Sequence, residues 1–381
     1  MKEPGPTAIQ LSAADEDGRP ILAVLCKRTY TVSADGRVSL APAQLPLVLD
    51  FEPDPDNPRR LHRDFDLYPI KVLTDVVVRG HTYGTGQRSF IATVRVDSWE
   101  KRVAVFGDRR CHLSATGHVV FSAPEPVGRI PLRYDRAYGG IDQVAEETLG
   151  NPLAALGKYL GPSADLALSS PYLYPRNHAG VGYLIAATRE AVERLVLPNL
   201  EDPLDLLSPE RLLVGAPERW PLMPIPQAFD WVDPGTFPRL AYMGVVHDHQ
   251  PLTAPIAEVA RGYAPADILV EKPIEKQANI RFANGASHGL QLPHLKGGET
   301  CMLGGVHPKL PVWTFRLPRE RPEIKTDGRN GAMNSTKPVI HTVEIEPDEE
   351  RVSIVWRGSA RALRPYLPEE LQKMPLHVGW S

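Results

Sequence analysis

The sequence predicts a mainly β protein: an antiparallel, sandwich-like body with short helices in its middle and long proline-rich loops. Three observations carry this expectation. Apolar and β-branched residues recur with period two in stretches separated by turn signals. Helix-compatible spacing is concentrated in residues 142–217. Proline accounts for 39 of 381 residues, about twice its usual ~5%, and is spread between the apolar runs, which reads as many short elements joined by stiff turns.

Along the chain, residues 1–17 read as an N-terminal tail and residues 18–381 as one β-rich body whose middle, 142–217, is rich in helix and loop. Residues 21–32, ILAVLCKRTYTV, followed by Ala34-Asp35-Gly36 and residues 37–40, read as a β-hairpin. Residues 74–83 lead through Gly84-Thr85-Gly86 into 89–106, where Phe90, Ala92, Val94 and Val96 alternate with Ile91, Thr93, Arg95 and Asp97. Val103 and Val105 return after Ser98-Trp99-Glu100, so the whole reads as a three-stranded antiparallel meander. Short helices are expected over 186–195 and over 209–213, where Ser208 can cap and Pro209 suits the first turn. Stretches 172–178, 220–238 and 318–337 show neither period and read as loops. Val343-Glu344-Ile345 and residues 352–356 flank Pro347-Asp348-Glu349-Glu350, a closing hairpin.

Composition narrows the function. With 42% apolar and 23% charged residues the chain can bury a core, and 43 basic against 46 acidic side chains leave a formal charge of -3. Such a balance offers no general attraction to nucleic acid. The sequence has no apolar run near the ~20 residues of a membrane span, and MKEPGPTAIQ has no apolar core of a secretion signal. A cytoplasmic protein without a membrane partner is expected. Cys26, Cys111 and Cys301 are widely spaced and odd in number, the pattern of buried thiols in a reducing compartment.

The search for chemistry points away from a catalyst with a cofactor. Gly157-Lys158 is followed by Tyr159, and Pro152 stands where a phosphate loop needs glycine. Gly84-Thr85-Gly86 lies between strands and is a turn. His247-Asp248-His249 could place two imidazoles on one ion, but with only distant candidates such as His294 or His307 it reads as a polar turn, and no metal is expected. Asp54 with Asp56, and Asp64 with Asp66, read as solvated turn residues. Asp108, Arg109, Tyr134, Asp135, Arg136, Tyr138, Gly139, Gly140, Asn151, Pro198 and Asn199 belong to stretches mixing charge, aromatic rings and glycine, and read as structural loop-to-sheet clamps. Arg136 is expected to pair with Asp108 or Asp135.

These stretches also carry a resemblance. Asp75-Val76-Val77-Val78-Arg79-Gly80-His81, Gly107-Asp108-Arg109, Pro131-Leu132 running into Tyr134-Asp135-Arg136-Ala137-Tyr138-Gly139-Gly140, Asn151-Pro152 with Gly157, and Leu197-Pro198-Asn199-Leu200-Glu201 appear in that order. Glu346-Pro347-Asp348-Glu349 and Val355-Trp356-Arg357 follow near the end. In these motifs the chain resembles the domain-of-unknown-function 2169 proteins found with bacterial type VI secretion genes, from about Arg19 to the last hairpin. The resemblance implies a non-enzymatic adaptor or chaperone that binds an effector protein or a PAAR-type spike tip and helps load it onto the VgrG spike. It brings no catalytic residues and no cofactor. The alternatives are a hydrolase-like enzyme using Asp64, Asp66, Asp108 or Asp135, and a structural subunit of a contractile injection particle. For an adaptor, aromatics of the unpatterned loops, Tyr172, Tyr174, Trp220, Phe229 and Trp231, are the expected anchors on the partner face.

Overall fold

The strand Pro20–Val32 organises the molecule because it is long enough to be paired along both edges. In the computed structural model, which describes residues 5–15, 17–150, 172–185, 187–242, 280–329 and 332–381, it lies between Ala8–Ala14 and Arg351–Arg361. The large sheet continues through Val339–Glu346 and Thr74–Val78 to Gln291–Leu292, with Val38–Leu40 also bonded to Pro20–Val32. Thr74–Val78 runs parallel to Val339–Glu346, whereas the other pairs in this sheet are antiparallel. A second sheet has the order Leu200–Glu201, Trp99–Phe106, Ser89–Val96, Thr300–Gly304, Val312–Arg316.

The period-two pattern decides which side chains meet. Val24, Cys26, Tyr30 and Val32, with Val343, Ile345, Ile354 and Trp356, join Val94, Val96, Val103, Val105, Leu303 and Trp313 of the second sheet in one apolar core. Burying each such side chain is worth about 1.5–3 kcal/mol relative to leaving it exposed. The alternate residues of the large sheet, Leu25, Lys27 and Thr29 among them, point the other way. There the irregular segment 41–71 lies over the sheet. Gln44 Oε1 accepts from Thr29 N at 2.9 Å, its Nε2 donates to Thr29 O at 3.0 Å, and Leu47 packs with Leu25 and Val355.

A smaller core gathers Tyr138, Tyr174, Tyr183, Val192, Leu197 and Leu212. Two of the short helices around it are capped by side chains. Thr188 accepts from Ala191 N at the start of Arg189–Arg194, and Asp142 from Ala145 N at the start of Gln143–Leu149. Pro209–Leu212 opens on its proline, but Ser208, the expected cap, makes no side-chain capping hydrogen bond.

The mainly β expectation holds, as do the first and last hairpins, the latter longer than expected, with strands Val339–Glu346 and Arg351–Arg361. Three local expectations do not. Within the supposed N-terminal tail, Ala8–Ala14 is a strand in register with Pro20–Val32 over seven pairs; its alanines gave little periodic signal. The meander is split: only Ser89–Val96 and Trp99–Phe106 form a hairpin, while Thr74–Val78 enters the large sheet and His81–Tyr83 pairs with Arg129–Pro131. Thr74–Val78 is buried throughout, as a strand covered on both faces must be. Gly84 packs so tightly on Val127 that a Cβ there would collide with its carbonyl. Finally, the supposed loop 318–337 contains Pro322–Asp327 and Met333–Ser335, which form a small sheet with Leu376–Trp380. Pro322, Ile324 and Thr326 do alternate inward, but Ile324 is their one large apolar side chain. Cys26, Cys111 and Cys301 are free and buried. Among the described residues no helix is long and apolar enough to cross a membrane.

Candidate functional site

Parallel pairing of Thr74–Val78 with Thr342 to Ile345 brings together two motifs far apart in sequence. Arg79 Nη1 donates to Glu344 at 2.8 Å, and His81 Nδ1 lies 2.6 Å from Asp348, which also accepts from Tyr83 at 2.9 Å. Around Glu344 a buried ion network spreads across the sheet face beneath segment 41–71. Lys27 lies 3.0 Å from Asp66 and 4.0 Å from Glu344. Arg63 lies 3.4 Å from Glu346, and Arg351 donates to Glu346 at 2.7 Å. Arg60 pairs with Asp54 and lies 3.5 Å from Asp230, which is 3.8 Å from Arg79. The cations Lys27, Arg60, Arg63, Arg79 and Arg351 thus balance Asp54, Asp66, Asp230, Glu344 and Glu346.

Titration follows this geometry. Burial alone would raise the Glu344 carboxyl, but the charges of Arg79, Lys27 and Arg63 outweigh it and hold Glu344 below the usual glutamate range. Asp230, whose two arginines stand farther off, is pushed up to about 6 by burial.

A second knot joins segment 64–75 to residues 230–242 and 280–286. Lys71 Nζ donates to Asp75 at 2.6 Å, and Asp75 also accepts from Asn284 Nδ2, Gly285 N and Ala286 N at 3.1–3.2 Å. Arg239 lies 2.6 Å from Asp64 and donates to Tyr68 Oη at 2.7 Å. Beside this knot is a cavity of about 130 Å³, with Tyr134, Arg176, Arg239, Asn284 and His288 among its walls. Next to it, Lys101 Nζ donates to Ser287 Oγ at 2.6 Å and His288 O at 2.7 Å, while Tyr134 Oη donates to Ser287 Oγ at 2.9 Å. Burial pushes the Lys101 amine down to about 7. A serine beside such an amine has the elements of a base-activated nucleophile. Ser287 has no exposed surface, however, so in this conformation the arrangement closes an internal hydrogen-bond circuit and presents nothing to a substrate.

The clamp residues form a third arrangement. Arg109 donates to Pro198 O and Glu201, and its guanidinium lies 4.4 Å from the Phe106 ring centroid. Asn199 Nδ2 donates to Asp108 at 2.9 Å and Phe106 O at 3.1 Å. Asn177 Nδ2 donates to Tyr134 O at 2.7 Å and Tyr138 O at 3.0 Å. Its own carbonyl sits where a Cβ on Gly139 would go, so Gly139 must be glycine, with φ of 146°.

Several sequence-based assignments need correction. Asp54, Asp64 and Asp66 are buried and ion-paired, not solvated; only Asp56 is exposed. Arg136 has no ion pair among the described residues, because Asp135 pairs with Arg133 at 2.7 Å and exposed Asp108 is taken by Asn199. Tyr172, Tyr174, Phe229 and Trp231 are buried and Trp220 is half-buried. Tyr174 packs against Tyr138, Tyr183 and Trp220 with centroids 5.1–6.2 Å apart. Their proline-rich surroundings looked like open loops but fold inward. Asp64, Asp66, Asp108 and Asp135 have different partners and make no acid–base pair with one another. Asn151, His247 and His249 lie outside the described residues; among those described, no three His, Cys, Asp or Glu side chains are grouped to hold a metal.

Sequence reasoning missed Lys27, Lys101, Asn177 and Arg239. Lys27 had a visible signal, a charge that directly follows the apolar run 21–26 of its strand; the others are brought to their partners only by the fold.

The exposed large apolar side chains include Leu204 (94% exposed), Leu222 (67%), Leu213 and Leu206. Arg211 gathers their segments: it pairs with Asp205, between Leu204 and Leu206, and its Nη2 donates to Leu222 O at 3.5 Å.

Neither a curated protein nor a solved structure matches the chain. A family model does, over residues 17–357, a span that includes most of the large sheet and all three polar arrangements. The chain therefore belongs to the family described as uncharacterized protein conserved in bacteria, DUF2169.

Proposed function

We propose that the protein is a non-enzymatic adaptor that binds an effector or PAAR-type spike-tip protein in the cytoplasm and assists its loading onto the VgrG spike. The observation that carries the binding role is the leucine group Leu204, Leu206, Leu213 and Leu222. Neighbouring exposed leucines are costly to leave in water, and such groups mark protein contacts. The type VI assignment is supported by the motifs from Asp75 to Trp356. Here the partner face lies outside the small core, and the buried Tyr172 and Tyr174 support it from within.

Coexpression with the effector encoded beside the gene, followed by size exclusion, tests this reading. One co-migrating peak is expected, and Leu204→Asp with Leu222→Asp should split it while changing stability by no more than about 0.5 kcal/mol. Two separate peaks from the unmodified proteins at micromolar concentration, with secretion undiminished in a deletion strain, would refute it.

A further inference from the structure

Strands at sheet edges offer unpaired backbone groups, and proteins commonly guard them with charge, proline, a bulge or a covering segment. The edges of this molecule are not equally guarded. Val312–Arg316 carries an arginine and is covered at Thr314, whose carbonyl a Cβ on Gly36 would strike. Leu376–Trp380 is five residues long and contains His377 and Gly379. Ala8–Ala14, AIQLSAA, has seven residues, no charge, no proline, no glycine and an unbroken register with its neighbour.

The hydrogen-bond alternation shows which backbone groups this edge presents. Lys27 N donates to Thr7 O. In antiparallel pairing this phase turns Ile9, Leu11 and Ala13 toward Pro20–Val32 and leaves the amides and carbonyls of Ala8, Gln10 and Ser12 facing outward. No backbone partner meets them among the described residues. Beside the edge, Tyr366 N donates to Ser12 Oγ at 2.9 Å, and Gln10 Nε2 donates to Leu371 O and Met374 O. The segment so anchored exposes Leu363 (70%) and Leu367 (65%).

We propose that this edge pairs with the same edge of a second copy, antiparallel about a twofold axis through Leu11, joining two large sheets into one. Self-pairing in that register uses all seven residues. It matches Ala8 with Ala14 and Gln10 with Ser12 of the copy, so every outward-facing backbone group meets another outward-facing group. Ile9 then lies opposite Ala13, and Leu11 opposite Leu11, apolar against apolar with no like charges in register. The pair at Leu11 is of the non-hydrogen-bonded kind, whose side chains approach most closely. Leu363 and Leu367 add apolar surface beside a backbone contact that is small by itself.

Light scattering coupled to size exclusion should give twice the chain mass of 42.1 kDa at 100 micromolar, falling toward the monomer on dilution. Leu11→Cys should form a disulfide-linked dimer under mild oxidation, since the three native cysteines are buried. Ala13→Lys, at a half-buried position, should weaken the dimer tenfold or more with the melting temperature retained. A monomer at 100 micromolar would overturn the proposal. So would a dimer that Ala13→Lys leaves intact and Leu11→Cys does not cross-link, since another surface would then be holding it.

Discussion

The two faces of the large sheet are built from alternate residues of the same strands, yet they are held by different physics. Along Val339–Glu346, Val343 and Ile345 enter the apolar core, while Glu344 and Glu346 enter the ion network under segment 41–71. The apolar face gains in proportion to the area buried and accepts small changes of shape at modest cost. The charged face is interdependent: each ion owes its tolerance of burial to its partners, so losing one leaves others uncompensated. An irregular segment can be fixed on a sheet with only a small apolar cluster, here Leu47 on Leu25 and Val355, provided its charges are met.

The largest expected effect breaks that interdependence. Glu344→Gln removes the carboxylate facing Arg79, Lys27 and Arg63 and should cost about 3–5 kcal/mol. The neighbouring Ile345→Val, on the other face, should cost about 0.5–1.5 kcal/mol. Denaturant unfolding of both variants measures the contrast; equal losses would mean that the network is no more interdependent than the core.

The clamp extends the comparison to a site where a charge is paired and one where it is not. Arg109→Ala breaks the Glu201 pair and the packing on Phe106 and should cost about 2–4 kcal/mol. Arg136→Ala, which breaks no ion pair among the described residues, should cost under about 1 kcal/mol. Reversal of that order in thermal melts would show that Arg136, and not Arg109, pins the loops.

The effect most specific to buried charge is in pH dependence. The Lys101 amine is depressed from 10.5 to about 7 by burial, so in this window the unfolded chain binds the extra proton. Below pH 7 the fold carries the full cost of a buried ammonium, and stability rises as pH goes from 7 to 10.5. Buried cysteines and tyrosines, raised by burial, oppose this at high pH. The readout is therefore the difference between the unmodified protein and Lys101→Met, which should shrink by roughly a few kcal/mol across the window. A pH-independent difference would show that Lys101 is solvated in the fold. Glu344 works in the opposite sense. Its depressed carboxyl adds stability above about pH 4.5 that is lost on acidification, and Glu344→Gln should remove that part of the acid dependence.

Much of the fold was legible because period two is a local property. Residues 21–32, 89–106 and 343–356 carry their alternation in adjacent side chains. Segments 8–14 and 322–327 were not legible, since alanine, glutamine, lysine and glutamate become strand residues only when a neighbouring edge is waiting for them. The polar arrangements were half legible. Arg109, Asn199 and Gly139 stood out as chemistry-bearing residues in loops, but their partners lie up to 93 positions away.

By itself the sequence determined the β class, the positions of the main hairpins, the near-neutral charge and, through its motifs, the family. The tertiary structure decided the rest: that Thr74–Val78 joins the large sheet and not its sequence neighbours, that the aspartates between 54 and 66 are buried partners, and that the loop aromatics face inward. It also decided that the four most exposed large apolar side chains are the leucines Leu204, Leu363, Leu222 and Leu367. The physical reason is range. Alternation and turn chemistry are settled within a few residues, whereas the burial of a charge or ring also depends on what the chain brings to it from distant parts of the sequence.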